Sequence, residues 1–158
     1  MEKAIATVML TVAGIAAIVA VLNALTPAIA RTSSSLVASA DAMDERIGTQ
    51  IEIVHATGTA GSPVAEAWVK NIGSIAIAPV SRIDVFFGPE DDFVRIPYGQ
   101  AGCTAPCWYA TLENDTVWNP TATLKITVAA SANLSSGPAY YIKVVVPNGI
   151  NDARFFTV

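Results

Sequence analysis

The sequence predicts one long N-terminal hydrophobic α-helix that carries a small all-β head of the immunoglobulin-like sandwich type. Three observations support this fold class: an uncharged apolar run near the start of the chain, an amphipathic helical pattern directly after it, and short β-rich segments separated by turn residues. We therefore divide the chain into a helix at positions 1–47 and a head at positions 48–158.

The composition indicates that part of the chain lies away from water. Of the 158 residues, 53% are hydrophobic and 14% are charged, whereas soluble globular proteins carry about 25% charged residues. The formal net charge is −4, and the nine basic residues are scattered singly along the chain. Because no basic stripe is available to neutralise phosphates, we expect no nucleic-acid partner.

The uncharged run covers positions 4–30 and is flanked by Lys3 and Arg31. As a helix it would extend roughly 40 Å, which is enough to cross a hydrocarbon core about 30 Å thick. We expect this segment to be inserted in the membrane before any assembly. A secretory signal peptide is an alternative, although its apolar region usually covers only about 7 to 15 residues.

Small side chains are frequent on this apolar helix, and they allow helix backbones to approach each other closely. A plain single-pass anchor, the alternative interpretation, gains nothing from such a surface. We therefore expect helix bundling during assembly, through the small residues Ala13, Gly14, Ala17, Ala20 and Ala24.

An amphipathic stripe follows the apolar run, with hydrophobic residues at spacings of 4, 3 and 4 that share one face of a helix. Pro27 should bend the helix without ending it, because proline lacks an N–H donor and crowds the preceding turn. We expect the stripe to pack against the head or against the helix of another subunit. Its residues are Leu36, Ala40, Met43 and Ile47.

After Gly48 the pattern changes to short β-rich segments that are separated by Gly, Pro, Asn and Asp. Eight such segments in the remaining part of the chain predict an antiparallel sandwich. The predicted strands lie at positions 49–55, 65–71, 80–87, 93–96, 108–112, 123–129, 140–146 and 154–158.

Two cysteines, Cys103 and Cys107, have a C-x3-C spacing. Together with His55, the single histidine, they are too few for a closed four-ligand zinc site. We expect a disulfide that closes a short surface loop, which would place the head in an oxidising compartment.

Two N-x-[ST] sequons begin at Asn114 and Asn133, and both fall in predicted loops. A third asparagine, Asn119, is followed by Pro120 and does not qualify. The two valid sequons are possible N-glycosylation sites, and if modified they must face outward in any assembly.

The common catalytic arrangements are missing from the sequence. A single histidine next to a strand is more often a surface residue than a base, and the acidic run at positions 90–92 lacks the spaced oxygen ligands of a calcium loop. There is no phosphate-binding glycine loop and no nucleophile elbow. We expect no enzyme: no catalytic residue, cofactor, metal or small-molecule substrate.

The order of these features resembles the archaellin group of the type IV pilin superfamily. The segments that carry the resemblance are the apolar run at positions 4–30 and the WVKNIGS segment at positions 68–74. Bacterial type IV pilins have a glutamate where this chain has Ile5, so the resemblance favours archaellins. The chain also resembles the minor archaellum proteins F and G, at positions 41–53, 69–71 and 149–155.

The archaellin resemblance implies a homopolymeric extracellular filament for motility, with helices bundled in its core and β heads outside. It also implies other archaellum components as partners, and no cofactor. Two alternatives stay open: a minor membrane-anchored archaellum protein of the F or G type, with an envelope-anchoring or stator role, and an adhesive pilin.

Overall fold

The computed structural model describes residues 2–158, and of Glu2 only the backbone. The chain divides into a helical unit that ends at Met43 and a head unit, Asp44–Val158. The predicted fold class is confirmed, because one long helix is followed by two antiparallel β-sheets.

Helix α1 spans Glu2–Gly48 and continues through Pro27. Its threonine hydroxyls donate hydrogen bonds to backbone carbonyls three or four residues earlier. In a lipid environment an unpaired hydroxyl costs on the order of several kcal/mol. Because their hydroxyls are paired within the helix, the threonines would not carry this cost. The hydroxyls are those of Thr7, Thr11, Thr26 and Thr32.

The head contains eight strands in two four-stranded sheets. In chain order the strands are β1 (Ile51–Gly58), β2 (Val64–Asn71), β3 (Asp84–Pro89), β4 (Val94–Ile96), β5 (Cys107–Leu112), β6 (Thr123–Ala129), β7 (Ala139–Val145) and β8 (Asn151–Thr157). Sheet I has the order β1-β2-β6-β5, sheet II has the order β4-β3-β7-β8, and all pairs within them are antiparallel.

Two strands begin three or four residues away from their predicted positions, for clear reasons. The strand predicted at 80–87 begins at Asp84, because Val80–Arg82 form a short 3-10 helix after Pro79. The strand predicted at 154–158 begins three residues earlier, at the polar pair Asn151-Asp152. Polar residues fit there because β8 is an edge strand and most of it is exposed.

The core lies between the two sheets and is formed by the inward-facing residues of the strands. Strand β2 shows the pattern most clearly, since Ala65, Ala67 and Val69 are buried while the residues between them are partly exposed. Two tryptophans, Trp108 and Trp118, are completely buried at the centre. Burying aromatic side chains of this size supplies a large share of the stability of a small head.

Side chains and one loop close both sides of the sandwich. On one side, the Asp152 carboxylate accepts the N–H of Ile53 at 2.7 Å, and Arg154 donates to the carbonyl of Ile53 at 2.7 Å. On the other side, Gly99 donates to the carbonyl of Trp108 at 2.7 Å. These paired groups are not available to an additional strand at those positions.

Candidate functional site

The predicted helix-packing residues are exposed along α1. Ala13, Ala17, Ala20 and Ala24 recur at spacings that place them in one stripe, and a Cβ added at Gly14 would meet no atom within 4 Å. By length and composition, the helix segment Lys3–Gly48 could cross a membrane. This surface therefore suits either lipid or another helix.

The second predicted stripe is exposed as well. Leu36 and Met43 are 67% and 66% exposed, and Ile47, which belongs to the head unit, is 82% exposed and does not pack on the head. At about 100° per residue, the two stripes lie roughly 140° apart around the helix. On a straight helix, one straight neighbour would therefore not cover both stripes.

The WVKNIGS segment positions the chain where it leaves the helix. Asn71 is fully buried and donates through Nδ2 to the carbonyls of Ile75 at 2.8 Å and Trp118 at 3.1 Å. Its Oδ1 accepts the N–H of Gly73 at 3.0 Å. This one side chain therefore fixes the loop after β2 against the loop before β6.

That loop in turn holds the helix exit. Ser74 donates its N–H to the carbonyl of Gly48 at 2.8 Å, and Gly73 donates to Gln50 at 3.0 Å. A Cβ at Gly73 would collide with the carbonyl oxygen of Gly48 and lie 2.6 Å from the nitrogen of Gln50, so only glycine allows this approach. We call these contacts between residues 48–50 and 71–74 the exit joint.

The outer face of sheet I carries charged side chains and two aromatic residues, Trp68 and Tyr109, and Trp68 is covered by neighbours. The ammonium of Lys125 lies 5.0 Å from the ring centre of Trp68 and 2.8 Å from Oε1 of Glu66. The hydrogen bond to Glu66 raises the pKa of Lys125. His55 packs beside the same tryptophan, with ring centres 5.5 Å apart.

The outer face of sheet II carries three adjacent aromatic rings, which we call the aromatic patch: Phe93, Tyr141 and Phe155. The ring centres of Phe93 and Tyr141 are 4.6 Å apart, and those of Tyr141 and Phe155 are 4.9 Å apart. Phe93 is 46% exposed and Phe155 is 54% exposed. Clustered exposed aromatic side chains are typical of protein-binding surfaces.

Sequence reasoning missed this patch because its members are distant in the chain. Phe93 precedes β4, Tyr141 lies on β7 and Phe155 lies on β8. The register that pairs Tyr141 with Phe155 brings them together. The one sequence signal is alternation, which places both residues on the outward side of their strands.

The predicted cysteine pair is bonded in the structure, with Cα atoms 6.3 Å apart. The disulfide packs directly on Gly99, where an added Cβ would lie 2.8 Å from Sγ of Cys103. It therefore holds the loop whose Gly99 pairs with Trp108. Within residues 3–158, no group of three or more His, Cys, Asp or Glu residues is arranged to hold a metal ion.

Comparisons with known proteins point to the archaellum. The solved structure of the archaellum periplasmic stator protein FlaG from Sulfolobus acidocaldarius is 30% identical, with a TM-score of 0.60, over 68% of this chain and 99% of that chain. A chain of the solved FlaF and FlaG stator complex from the same organism gives the same identity and TM-score, over 68% of this chain and 89% of that one.

By sequence, the chain is also similar to an uncharacterized protein from Archaeoglobus fulgidus, with 29% identity over 164 aligned residues. The alignment covers 99% of this chain and 98% of that protein. No protein-family model matches the chain.

A helix of membrane-spanning length followed by a β-sandwich head defines the class of protein. With 30% identity across nearly all of the solved FlaG structure, the chain belongs to the family of this minor archaellum protein. Of the two resemblances in the sequence, the one to the minor archaellum proteins F and G is therefore supported. The likenesses do not show an archaellin filament subunit.

Proposed function

We propose that this chain is a membrane-anchored archaellum component with a stator role in the cell envelope, rather than the repeating subunit of a filament. The observation that carries the proposal is the 30% identity to the periplasmic stator protein FlaG over 99% of that structure. In this proposal α1 is the anchor, and the head acts on the outer side of the membrane.

The exit joint suits a protein that must stay in place under load. Force that travels along the chain enters the head at residues 48–50, which backbone hydrogen bonds tie to the loop at 72–74. Because Asn71 in turn ties that loop to Trp118 in the core, the load also reaches the loop before β6 instead of falling on β1 alone.

The head of a stator also needs an envelope-side partner. The solved FlaF and FlaG complex shows that such a head can assemble with another archaellum protein. We assign this contact to the aromatic patch, because its three rings are adjacent, whereas Trp68 on the outer face of sheet I is covered by Lys125 and His55. Aromatic residues frequently account for most of the binding energy of an interface.

The test compares one ring on each outer face, Phe155→Ser in the patch and Tyr109→Ser on sheet I. Loss of a central aromatic contact costs about 2 kcal/mol or more, so Phe155→Ser should weaken binding roughly 30-fold. The binding partner is the archaellum protein that cross-links to the full-length chain in native membranes, and affinity is measured in detergent.

Tyr109→Ser should bind like the wild type, and both variants should keep the wild-type melting temperature. Equal affinity for wild type and Phe155→Ser would remove the patch from the proposal. If the native membranes yield no cross-linked archaellum protein other than copies of this chain, the stator role itself is wrong.

A further inference from the structure

The two N-x-[ST] sequons lie at opposite ends of sheet I. The Asn114 sequon is in the loop between β5 and β6, at the end where Leu112 pairs with Leu124 and where the chain enters from the helix. The Asn133 sequon follows β6 at the other end, where Val64 pairs with Ala129. Both asparagines are exposed, so exposure alone does not distinguish them.

The Asn133 sequon is integrated into the fold. Its middle residue, Leu134, is 3% exposed, donates its N–H to Ser62 at 2.9 Å and accepts the N–H of Gly61 at 2.8 Å. Its hydroxyl residue, Ser135, is held by Tyr140, whose hydroxyl oxygen accepts the Ser135 N–H at 2.8 Å and lies 3.4 Å from its Oγ. A transferase could reach this tripeptide only by pulling Leu134 out of the core.

The Asn114 sequon has none of these attachments. Asn114, Asp115 and Thr116 are all exposed, and within the described chain neither the Asn114 amide nor the Thr116 hydroxyl takes part in a side-chain hydrogen bond. The carboxylate of Asp115 bonds only within its own loop, to the Thr116 N–H at 2.7 Å and to Asn119. An enzyme can therefore bind all three residues without opening the core.

We infer that Asn114 is an N-glycan acceptor of the folded head and that Asn133 is not. The donor is a lipid-phosphate-linked oligosaccharide. A bond forms between Nδ2 of Asn114 and the anomeric carbon of the sugar, and the bond from that carbon to the phosphate oxygen breaks. The lipid phosphate leaves with the electron pair of that bond, and one amide proton passes to a base.

The position of Asn114 determines which surfaces a glycan would cover. It lies at the helix-exit end of sheet I, whereas the aromatic patch is on the outer face of sheet II. A sugar chain there leaves the patch free for a protein partner. The inference rests on the proposed function in one respect, because the head must lie on the outer side of the membrane to meet the glycan donor.

The test uses the full-length protein purified from native membranes, by intact mass and by sequencing of glycopeptides. Wild type and Asn133→Gln should carry the same added glycan mass. Asn114→Gln should lose it, and so should Thr116→Ala, which keeps the acceptor amide but removes the hydroxyl that the sequon requires.

A second measurement separates this inference from the proposed function. Spheroplasts are treated with a membrane-impermeant amine reagent, and labelling of Lys70 and Lys143 reports that the head is outside. A labelled head with unmodified Asn114, or with a glycan on Asn133, overturns the glycan inference and leaves the envelope location intact. An unlabelled head overturns both.

Discussion

Replacing Asn71 with alanine is expected to destabilise the head by about 3 to 5 kcal/mol. The substitution removes two donated hydrogen bonds and one accepted one, and it leaves the carbonyl of Trp118 without this donor in a buried site and that of Ile75 in a partly buried one. Each buried group left unsatisfied costs about 1 to 3 kcal/mol. Urea unfolding of the full-length protein in detergent, followed by tryptophan fluorescence, measures the loss, because Trp108 and Trp118 are fully buried.

Asn119→Ala is the matched control, since Asn119 also donates a side-chain hydrogen bond, to Asp115 at 2.7 Å, but on an exposed loop. Its effect on stability should be far smaller. That hydrogen bond is the main reason why the pKa of Asp115 is lowered. Any contribution of the bond to the stability of the head is therefore present at neutral pH and is lost as the pH falls through the folded-state pKa of Asp115. Equal destabilisation by the two variants would show that Asn71 does not organise the exit joint.

Placing two carboxylates in the apolar part of α1, as Ala17→Asp with Ala20→Asp, is expected to release the protein from the membrane. A charged residue near the middle of a membrane helix costs about 2.5 to 3.5 kcal/mol on insertion scales. Two of them shift the insertion equilibrium by roughly four orders of magnitude. Ultracentrifugation after an alkaline wash, which retains only integral proteins, measures the fraction that stays in the pellet.

The control pair Ala17→Leu with Ala20→Leu separates anchoring from helix bundling. Leucine keeps the segment apolar but fills the small-residue stripe, so close approach of a second helix is prevented while insertion is favoured. If the protein is a membrane-anchored component, we expect the leucine double variant to remain an integral membrane protein and to bind its partner normally. If the aspartate double variant also remains an integral membrane protein, positions 17 and 20 do not lie in a membrane.

The general architecture could be predicted from local pattern. An uncharged run of 27 positions can be read directly, and β6 matched its predicted bounds because its apolar residues are framed by turn-forming segments on both sides. The helix also continued through Pro27 as expected. These features depend on near neighbours in the chain, which is why sequence periodicity was sufficient.

The functional surfaces depend on pairing between distant segments, and the sequence does not show that pairing. The contact of Arg154 with Ile53 joins residues 101 positions apart and covers part of the β1 edge. The WVKNIGS segment was recognised as a family resemblance, but its physical role, a buried asparagine that organises the helix exit, required the loop at Trp118 to be placed beside it.

The sequence pattern also could not distinguish a filament subunit from a minor archaellum component. Both classes share an apolar helix and a β head, so composition and periodicity are the same for either. The identity to FlaG across nearly the whole of that structure favours the minor component. The small-residue stripe of α1, which suggested helix bundling, fits a lipid-facing anchor equally well.

Quantitative mass spectrometry of sheared surface filaments and of the membranes left behind, from the same cells, tests the proposed role most directly. We expect the chain to remain with the membranes, at a copy number far below that of the most abundant filament protein, and to be depleted from the sheared fraction. If the chain is instead the dominant protein of the sheared filaments, it is a filament subunit and the stator assignment is wrong.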